Sequence, residues 1–449
     1  MRAWCCCFFL LCNQMAAFVV GPKVAKKGRV VLYSKDHVPL DWPGALVGEA
    51  EEETLTVGDA AALIGGTTVG AGILALPTAL AKAGFLAGVV TLLGSYVFMV
   101  AAALLVAETT STATRELQRP GLSLLSTSTT ALGEEVGNVS GLAYVFIHYA
   151  LLVAYASQGG AVVSNFLGLS ENLGVFLFTI FFGGIVVAAP SAIVDGLNNV
   201  LVILVILSFG ALAYLTSPQI NVERLLAMPT DWSAAFAAAP ICILALVFHN
   251  VIPVVVTRFK GNRRAVSASV LFGSAIPLVL FLIWTFIVLA SVDVVENQDA
   301  VLALEANGAD IATAVNVFRL SAVATSFFGF YYGLRTFFDD IIKDRYQDLL
   351  RQKDLIVPLL ILLPPLVFAI ALGSDVFLAA LDAAGTFGIT SLFGIIPAAT
   401  AYTQRSRSNL PIDTYLPGGY LSLAIVFVLA ATVFAEGLID FLPPLKSLR

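Results

Sequence analysis

The chain has 449 residues, of which 59% are hydrophobic and 12% charged, with a formal net charge of −6. A water-soluble domain carries about 25% charged residues, so this composition excludes a soluble globular protein and describes a polytopic membrane protein. The five cysteines (Cys5, Cys6, Cys7, Cys12 and Cys242) form neither a disulfide framework nor a zinc spacing.

The N-terminus reads as a targeting segment. Arg2 precedes an apolar stretch from Ala3 to Val20 that ends in small residues at Met15-Ala16-Ala17-Phe18, as in a secretory signal peptide. Lys23, Lys26, Lys27, Arg29 and Lys35 follow without an acid until Asp36. The Ala17-Phe18 junction and this basic stretch resemble the two-part presequence of plastid proteins in algae with secondary plastids. The expectation is therefore a plastid envelope; a plain signal sequence or an uncleaved anchor are the alternatives. Residues 1–55 are taken as presequence and linker, including the acidic patch Glu49 to Glu53, and 56–449 as the transmembrane domain.

Eleven spans are predicted, since a helix needs about 20 apolar residues to cross a bilayer. They lie near 57–81, 86–109, 140–168, 172–190, 196–216, 233–257, 266–291, 313–337, 355–373, 376–402 and 418–440. Lys and Arg in the loops set orientation. With the mature N-terminus on a cytosol-like side, here called cis, the cis loops hold Arg115, Arg119, Arg258, Lys260, Arg263, Arg264, Lys343, Arg345, Arg351, Lys353, Arg405 and Arg407. The loops of the opposite, trans side hold only Lys82 and Arg224, with Lys446 and Arg449 in the tail, and the loop from Ser291 to Ile311 has five acids and no base.

The first span is interrupted at Gly65-Gly66-Thr67-Thr68-Val69-Gly70-Ala71-Gly72. Each Gly costs a helix about 1 kcal/mol relative to Ala. Unwound backbone at membrane depth survives only inside protein or beside a watery cavity, and a broken helix is how secondary transporters build a substrate site. If the helix stops near Gly65 and restarts near Gly72, the second half points free N–H groups at an anion, while the carbonyl end of the first half suits an ammonium. A zwitterionic amino acid matches both ends. The competing reading is packing, with Gly66 and Gly70 as a small-xxx-small contact.

In the third span His148, Tyr149, Tyr155 and Gln158 make a polar stripe at helical spacing. Asp195, with Asn198 and Asn199, opens the fifth span as a helix cap or as part of an inner gate. The sixth span carries a second interruption, Phe248-His249-Asn250-Val251-Ile252-Pro253, with Pro240 upstream. His249 and Asn250 are pathway or relay candidates. In the eighth span Ala324-Thr325-Ser326-Phe327-Phe328-Gly329 supplies hydroxyls and rings, and Arg335 and Asp339 have ion-pair spacing near the cis interface. Asp382 sits in the tenth span before Gly385-Thr386-Phe387-Gly388 as a proton-site or vestibule candidate. Paired interruptions in spans one and six point to inverted repeats, about 57–216 and 233–402, with the helix near 418–440 outside them. No phosphate loop, G-x-S-x-G or H-E-x-x-H motif is present, and neither an enzyme nor a cofactor or metal is expected.

At these residues the chain resembles the hydroxy and aromatic amino acid permease family, which includes the bacterial tyrosine and tryptophan permeases, of the amino acid–polyamine–organocation superfamily. Over about residues 56–440 it is similar in Gly65-Gly66-Thr67-Thr68-Val69-Gly70-Ala71-Gly72-Ile73-Leu74-Ala75-Leu76-Pro77, in Phe248-His249-x-x-Ile252-Pro253 and in Ala324-Thr325-Ser326-Phe327-Phe328-Gly329. Weaker matches are Asp195-x-x-Asn198 and Gly394-Ile395-Ile396-Pro397. The resemblance implies an all-α five-plus-five inverted-repeat fold with discontinuous helices 1 and 6, and proton-coupled uptake of aromatic or related neutral amino acids.

By the same resemblance the Gly66 to Gly72 break holds the substrate's backbone groups, and Phe248, His249, Ser326 and Phe327 line the cavity. Gly66, Thr67, Thr68, Gly70, Ala71, Gly72, Tyr155, Gln158, Phe248, His249, Asn250, Ser326 and Phe327 are thus the substrate-site candidates. His148, His249, Asp382 and Asp195 are the candidates for proton coupling or gating. The expected partners are a small-molecule amino acid, a co-transported proton (or sodium) and the lipid bilayer, with no nucleic acid. A carrier of another small organic acid or amino acid in the same fold, or a non-transporting amino-acid sensor, are the alternatives.

Overall fold

The computed structural model describes residues 56–119, 121–293, 299–345, 352–373, 376–407, 412 and 414–441. The presequence and the tail therefore lie outside the described residues, as do Arg351 and its neighbours in one cis loop. Helices are the regular structure of the described residues, with no strand among them. They form eleven apolar spans when the bent pair at the start counts as one.

The first span is two helices, α1 (Val57–Thr68) and α2 (Gly72–Ala81), bent by 60° at the break. A reciprocal cap starts α1: Thr56 Oγ1 accepts from the Asp59 amide, and the Thr56 amide donates to Asp59 Oδ2. The end of α1 corrects the sequence reading. Winding continues past Gly65 to Thr68, with the last turn closed by the Val69 amide donating to the Gly65 carbonyl, and the Thr67 and Thr68 hydroxyls are spent on the carbonyls of Leu63 and Ile64, one turn back. The chain then extends at Val69 (ψ 101°) and restarts at Gly72.

Span two is α3 (Phe85–Leu117), longer than the apolar run suggested, and α4 (Leu124–Leu132) follows on the cis side. Spans three to five are α5 (Glu134–Leu167), α6 (Glu171–Ala188) and α7 (Ser191–Thr216). Asp195 does not cap α7: Pro190 occupies that place, and Asp195 lies exposed in the second turn. Two short trans helices, α8 (Val222–Leu226) and α9 (Trp232–Ala237), lead into the sixth span.

The sixth span is also discontinuous. Helix α10 (Ala239–Ala245) stops, residues 246–248 leave the helix, His249–Val251 make one tight turn, and α11 (Ile252–Arg258) resumes. Pro253 lies in the first turn of α11, where its missing N–H would have no partner in any case. It starts the second half rather than breaking the first.

Span seven is α12 (Arg263–Ser291), and a trans helix α13 (Ala300–Glu305) precedes the eighth span, α14 (Ala309–Arg345). Spans nine to eleven are α15 (Lys353–Leu372), α16 (Val376–Ala383) continuing through a π-helical stretch Ala384–Ile395 into α17 (Ile396–Ser406), and α18 (Gly419–Phe441).

Small residues set the closest contacts. A Cβ on Gly273 would lie 2.7 Å from the Ala61 carbonyl oxygen, and one on Gly65 3.0 Å from that of Gly273, so α1 and α12 meet backbone to backbone. That packing role belongs to Gly65; Gly66, the expected contact, faces open space. The third span is sheathed by neighbours, whereas α7 and α18 keep bare apolar faces (Ile206, Leu207, Leu421, Val428) suited to lipid.

Candidate functional site

The first break is held from outside its own helix. The Ala71 amide donates to Ser326 Oγ of α14 at 2.9 Å, and Tyr155 of α5 interacts with the same hydroxyl. Gly70 makes this approach feasible, since a Cβ there would lie 2.7 Å from Ser326 Oγ. The two breaks also touch: a Cβ on Gly72 would lie 3.0 Å from Ala245 Cα. Spans one, three, six and eight therefore converge on Val69–Gly72, where the backbone is partly free of helical bonding.

His249, in the tight turn of the sixth span that packs against α1, is buried between the rings of Phe248 and Phe393 with centroids 5.0 and 4.6 Å away. Both its ring nitrogens lack a hydrogen-bond partner, though the Met99 backbone is close enough to interact. A buried polar atom left without a partner forgoes about 1–3 kcal/mol of hydrogen bonding.

Several candidates are placed elsewhere. Gly66 and Thr67 face outward on α1, because winding persists to Thr68 and the helical period carries them away from α14. Thr68 is buried, but its hydroxyl is engaged by Ile64. Asn250 points outward, opposite to His249. Phe327 packs edge-on against Phe178 of α6 at 5.5 Å, so Ser326 alone of that pair reaches the break. In α14 it is Phe330 that turns to the polar stripe, 5.7 Å from Tyr155 and 5.0 Å from His148. His148 Nδ1 donates to the Tyr144 carbonyl at 2.8 Å, which leaves Nε2 against Gly333. Asp382 feels the charge of Asp440 on α18, at the periphery, and Asp195 acts on Tyr332 of α14. Arg335 pairs with Asp339 and, at 2.7 Å, with Asp354 of α15.

A cavity of about 1500 Å³ opens between the trans ends of the spans, bordered by Thr78, Lys82, Arg224, Asp299, Gln158 and Arg319 among others. None of Gly70, Ala71, His249 or Ser326 borders it. Arg319, only 2% exposed in the middle of α14's apolar run, was not singled out from the sequence. Neither was Glu108, which at the cis end of α3 meets Arg405 of α17 through two hydrogen bonds of 2.6 and 2.8 Å and accepts the Tyr415 amide at 2.9 Å. A charge within a predicted span was the available signal for both.

Residues 54–436 match the model of the tryptophan/tyrosine permease family. Tyrosine-specific transport system 1 of Haemophilus influenzae is 30% identical over 386 residues, which cover 83% of this chain and 94% of that protein. Among solved structures, the manganese transporter of Eremococcus coleocola, in complex with an aromatic bis-isothiourea substituted compound, superposes with a TM-score of 0.57 at 14% identity, over 86% of this chain and 87% of the other. The structure of MhsT in complex with L-phenylalanine does so with a TM-score of 0.56 at 15% identity, over 84% and 97%. At these identities the likeness concerns the fold, a five-plus-five inverted-repeat transporter architecture with discontinuous first and sixth helices.

Proposed function

Because this chain belongs to the tryptophan/tyrosine permease family, a family of integral membrane transport proteins for amino acids, we propose that it is a proton-driven symporter of aromatic amino acids that works by alternating access. The observation that carries the reading is the Ala71 amide, presented at a break between two half-helices and held meanwhile by the Ser326 hydroxyl. A substrate carboxylate takes the place of that hydroxyl at the N-terminus of α2, and the carbonyl end of α1 faces the ammonium. Phe330 and Tyr155 offer ring surfaces to an aromatic side chain. Residues about 57–216 and 233–402 are the two repeats, which rock around the breaks while α18 stays peripheral.

His249 is the proton site in this reading, supported by its burial at the break of the sixth span. Imidazole is the side chain whose ordinary pKa, about 6.5, lies within the physiological range. The fifth span has no lysine, so no fixed ammonium stands in for a coupling cation there. One proton moved through 100 mV supplies about 2.3 kcal/mol, enough for roughly fifty-fold accumulation at about 1.4 kcal/mol per decade.

The test is uptake of labelled tyrosine and tryptophan by the purified protein in liposomes, with an imposed pH gradient, a sodium gradient, or neither. Concentrative uptake under the pH gradient alone supports the reading. Uptake that follows sodium removes the proton assignment, and binding without counterflow turns the chain into a sensor. The basic stretch after Ala17-Phe18 supports a plastid envelope as the membrane, and a fluorescent fusion of residues 1–55 that stays at the cell surface would remove that assignment.

A further inference from the structure

We propose that Arg319 is the trans-side capture residue of the substrate pathway, a guanidinium that receives the substrate's carboxylate from the vestibule and passes it to the break. The inference rests on the reading of the chain as an amino acid carrier. Arg319 borders the trans cavity yet is 2% exposed, so it forms part of the wall between vestibule and break. It stands seven residues from Ser326 on α14, two turns nearer the trans side on the same face, or about 10 Å along the axis. Gln158 stands one turn from Tyr155 on α5 in the same direction. The pairs Tyr155–Ser326 and Gln158–Arg319 are thus successive layers of one passage.

The partners of Arg319 suit exchange. Glu305 Oε1 accepts from Nη1 at 2.8 Å. With its amide oxygen turned toward the guanidinium, Gln158 accepts from Nη2 at 3.0 Å and from Nε at 3.2 Å. Gln158 is neutral, so the positive charge at membrane depth is balanced by Glu305 alone among these contacts. Glu305 comes from the six-residue α13 outside the spans, and its side chain is 19% exposed. An arriving carboxylate can therefore replace that of Glu305 without leaving the guanidinium unpaired, which is the state that makes a buried charge expensive. The planar guanidinium fits a carboxylate with two parallel hydrogen bonds. Helix α13 is also tied to the first span, since Asp299 Oδ1 accepts from Thr78 Oγ1 at 2.9 Å. Release of Glu305 thus frees one end of a helix that remains fastened at the other.

The experiment measures uptake of labelled L-tyrosine in liposomes by the full chain and by the variants Arg319→Gln, Arg319→Lys, Glu305→Gln and the double variant R319Q/E305Q. A hydrogen bond to a charged group is worth about 1.5–3 kcal/mol, so R319Q is expected to raise KM roughly tenfold to hundredfold, with a smaller rise for Arg319→Lys. Glu305→Gln strands the buried guanidinium and lowers stability, so it is assayed on the monodisperse fraction, where KM is expected to be unchanged or lower. The double variant removes both charges together and avoids the unpaired acid that could unfold R319Q; monodisperse in detergent, it should keep the raised KM. If monodisperse Glu305→Gln shows the raised KM of R319Q, or the double variant regains the wild-type KM, Arg319 is a strut for α13 and the proposal falls. A wild-type protein that moves no amino acid overturns the transport reading itself, whereas active variants with unchanged KM overturn only the capture role.

Discussion

Gly70→Ala probes the broken first span with a single methyl group. The added Cβ would lie 2.7 Å from Ser326 Oγ, well inside contact distance. The hydroxyl has to rotate away, and it then abandons the Ala71 amide that donates to it at 2.9 Å. A hydrogen bond of this kind contributes about 0.5–1.5 kcal/mol net, and a buried amide left without a partner loses about 1–3 kcal/mol. Because the substrate carboxylate takes the place of that hydroxyl, the loss of about 1–3 kcal/mol falls on the substrate-free protein and should raise kcat/KM for tyrosine roughly 5- to 150-fold. The informative comparison is a cycle with Ser326→Ala. With the hydroxyl gone, the Cβ of Gly70→Ala meets only the Cβ of residue 326 at 4.0 Å, an ordinary contact, and should change little more. Coupling of about 1 kcal/mol or more between the two positions is therefore expected from uptake kinetics of the four proteins. Effects that add to within about 0.5 kcal/mol would mean that the sites are independent, and Ser326 would no longer be the latch on the break.

Three further outcomes follow from the same geometry. His249→Gln should abolish uptake driven by a pH gradient while tyrosine counterflow persists, because the ring is a buried titratable group at the sixth-span break; equal loss of both would assign His249 to folding or binding instead. Glu108→Gln should destabilise the protein by about 3–5 kcal/mol because it strands Arg405 with both partners nearly excluded from solvent, and the double variant with Arg405→Gln should recover much of that, as read from thermal unfolding in detergent. Gly385→Ala should sharply reduce folded yield, since its Cβ would run into the Pro240 carbonyl oxygen on the first half of the sixth span; normal yield would show that α10 moves aside.

Much of the architecture was legible in the chain because membrane helices announce themselves by apolar length, and both interruptions by Gly and Pro. What the sequence left open was phase. Four glycines within eight residues marked a break, but the point at which winding ends, Thr68, decided which residues face α14, and it turned Gly66 and Thr67 away. Ser326 and Phe327 are adjacent, and a helix shows adjacent residues to different neighbours, so only one of them could reach the break. Glu108 and Arg405 are 297 positions apart, and no spacing rule connects such a pair. Arg319 was visible as a charge in an apolar run, yet its role depends on Gln158 and Glu305, which only the fold brings to it.

The π-helical stretch Ala384–Ile395 gives the tenth span a property that a uniformly wound rod lacks. A widened turn accommodates an additional residue, and sliding its boundary by one position spins everything downstream by about 100°. In this span the downstream end carries Arg405. Its grip on Glu108 fixes that rotational setting, much as a pin sets the angle of a shaft.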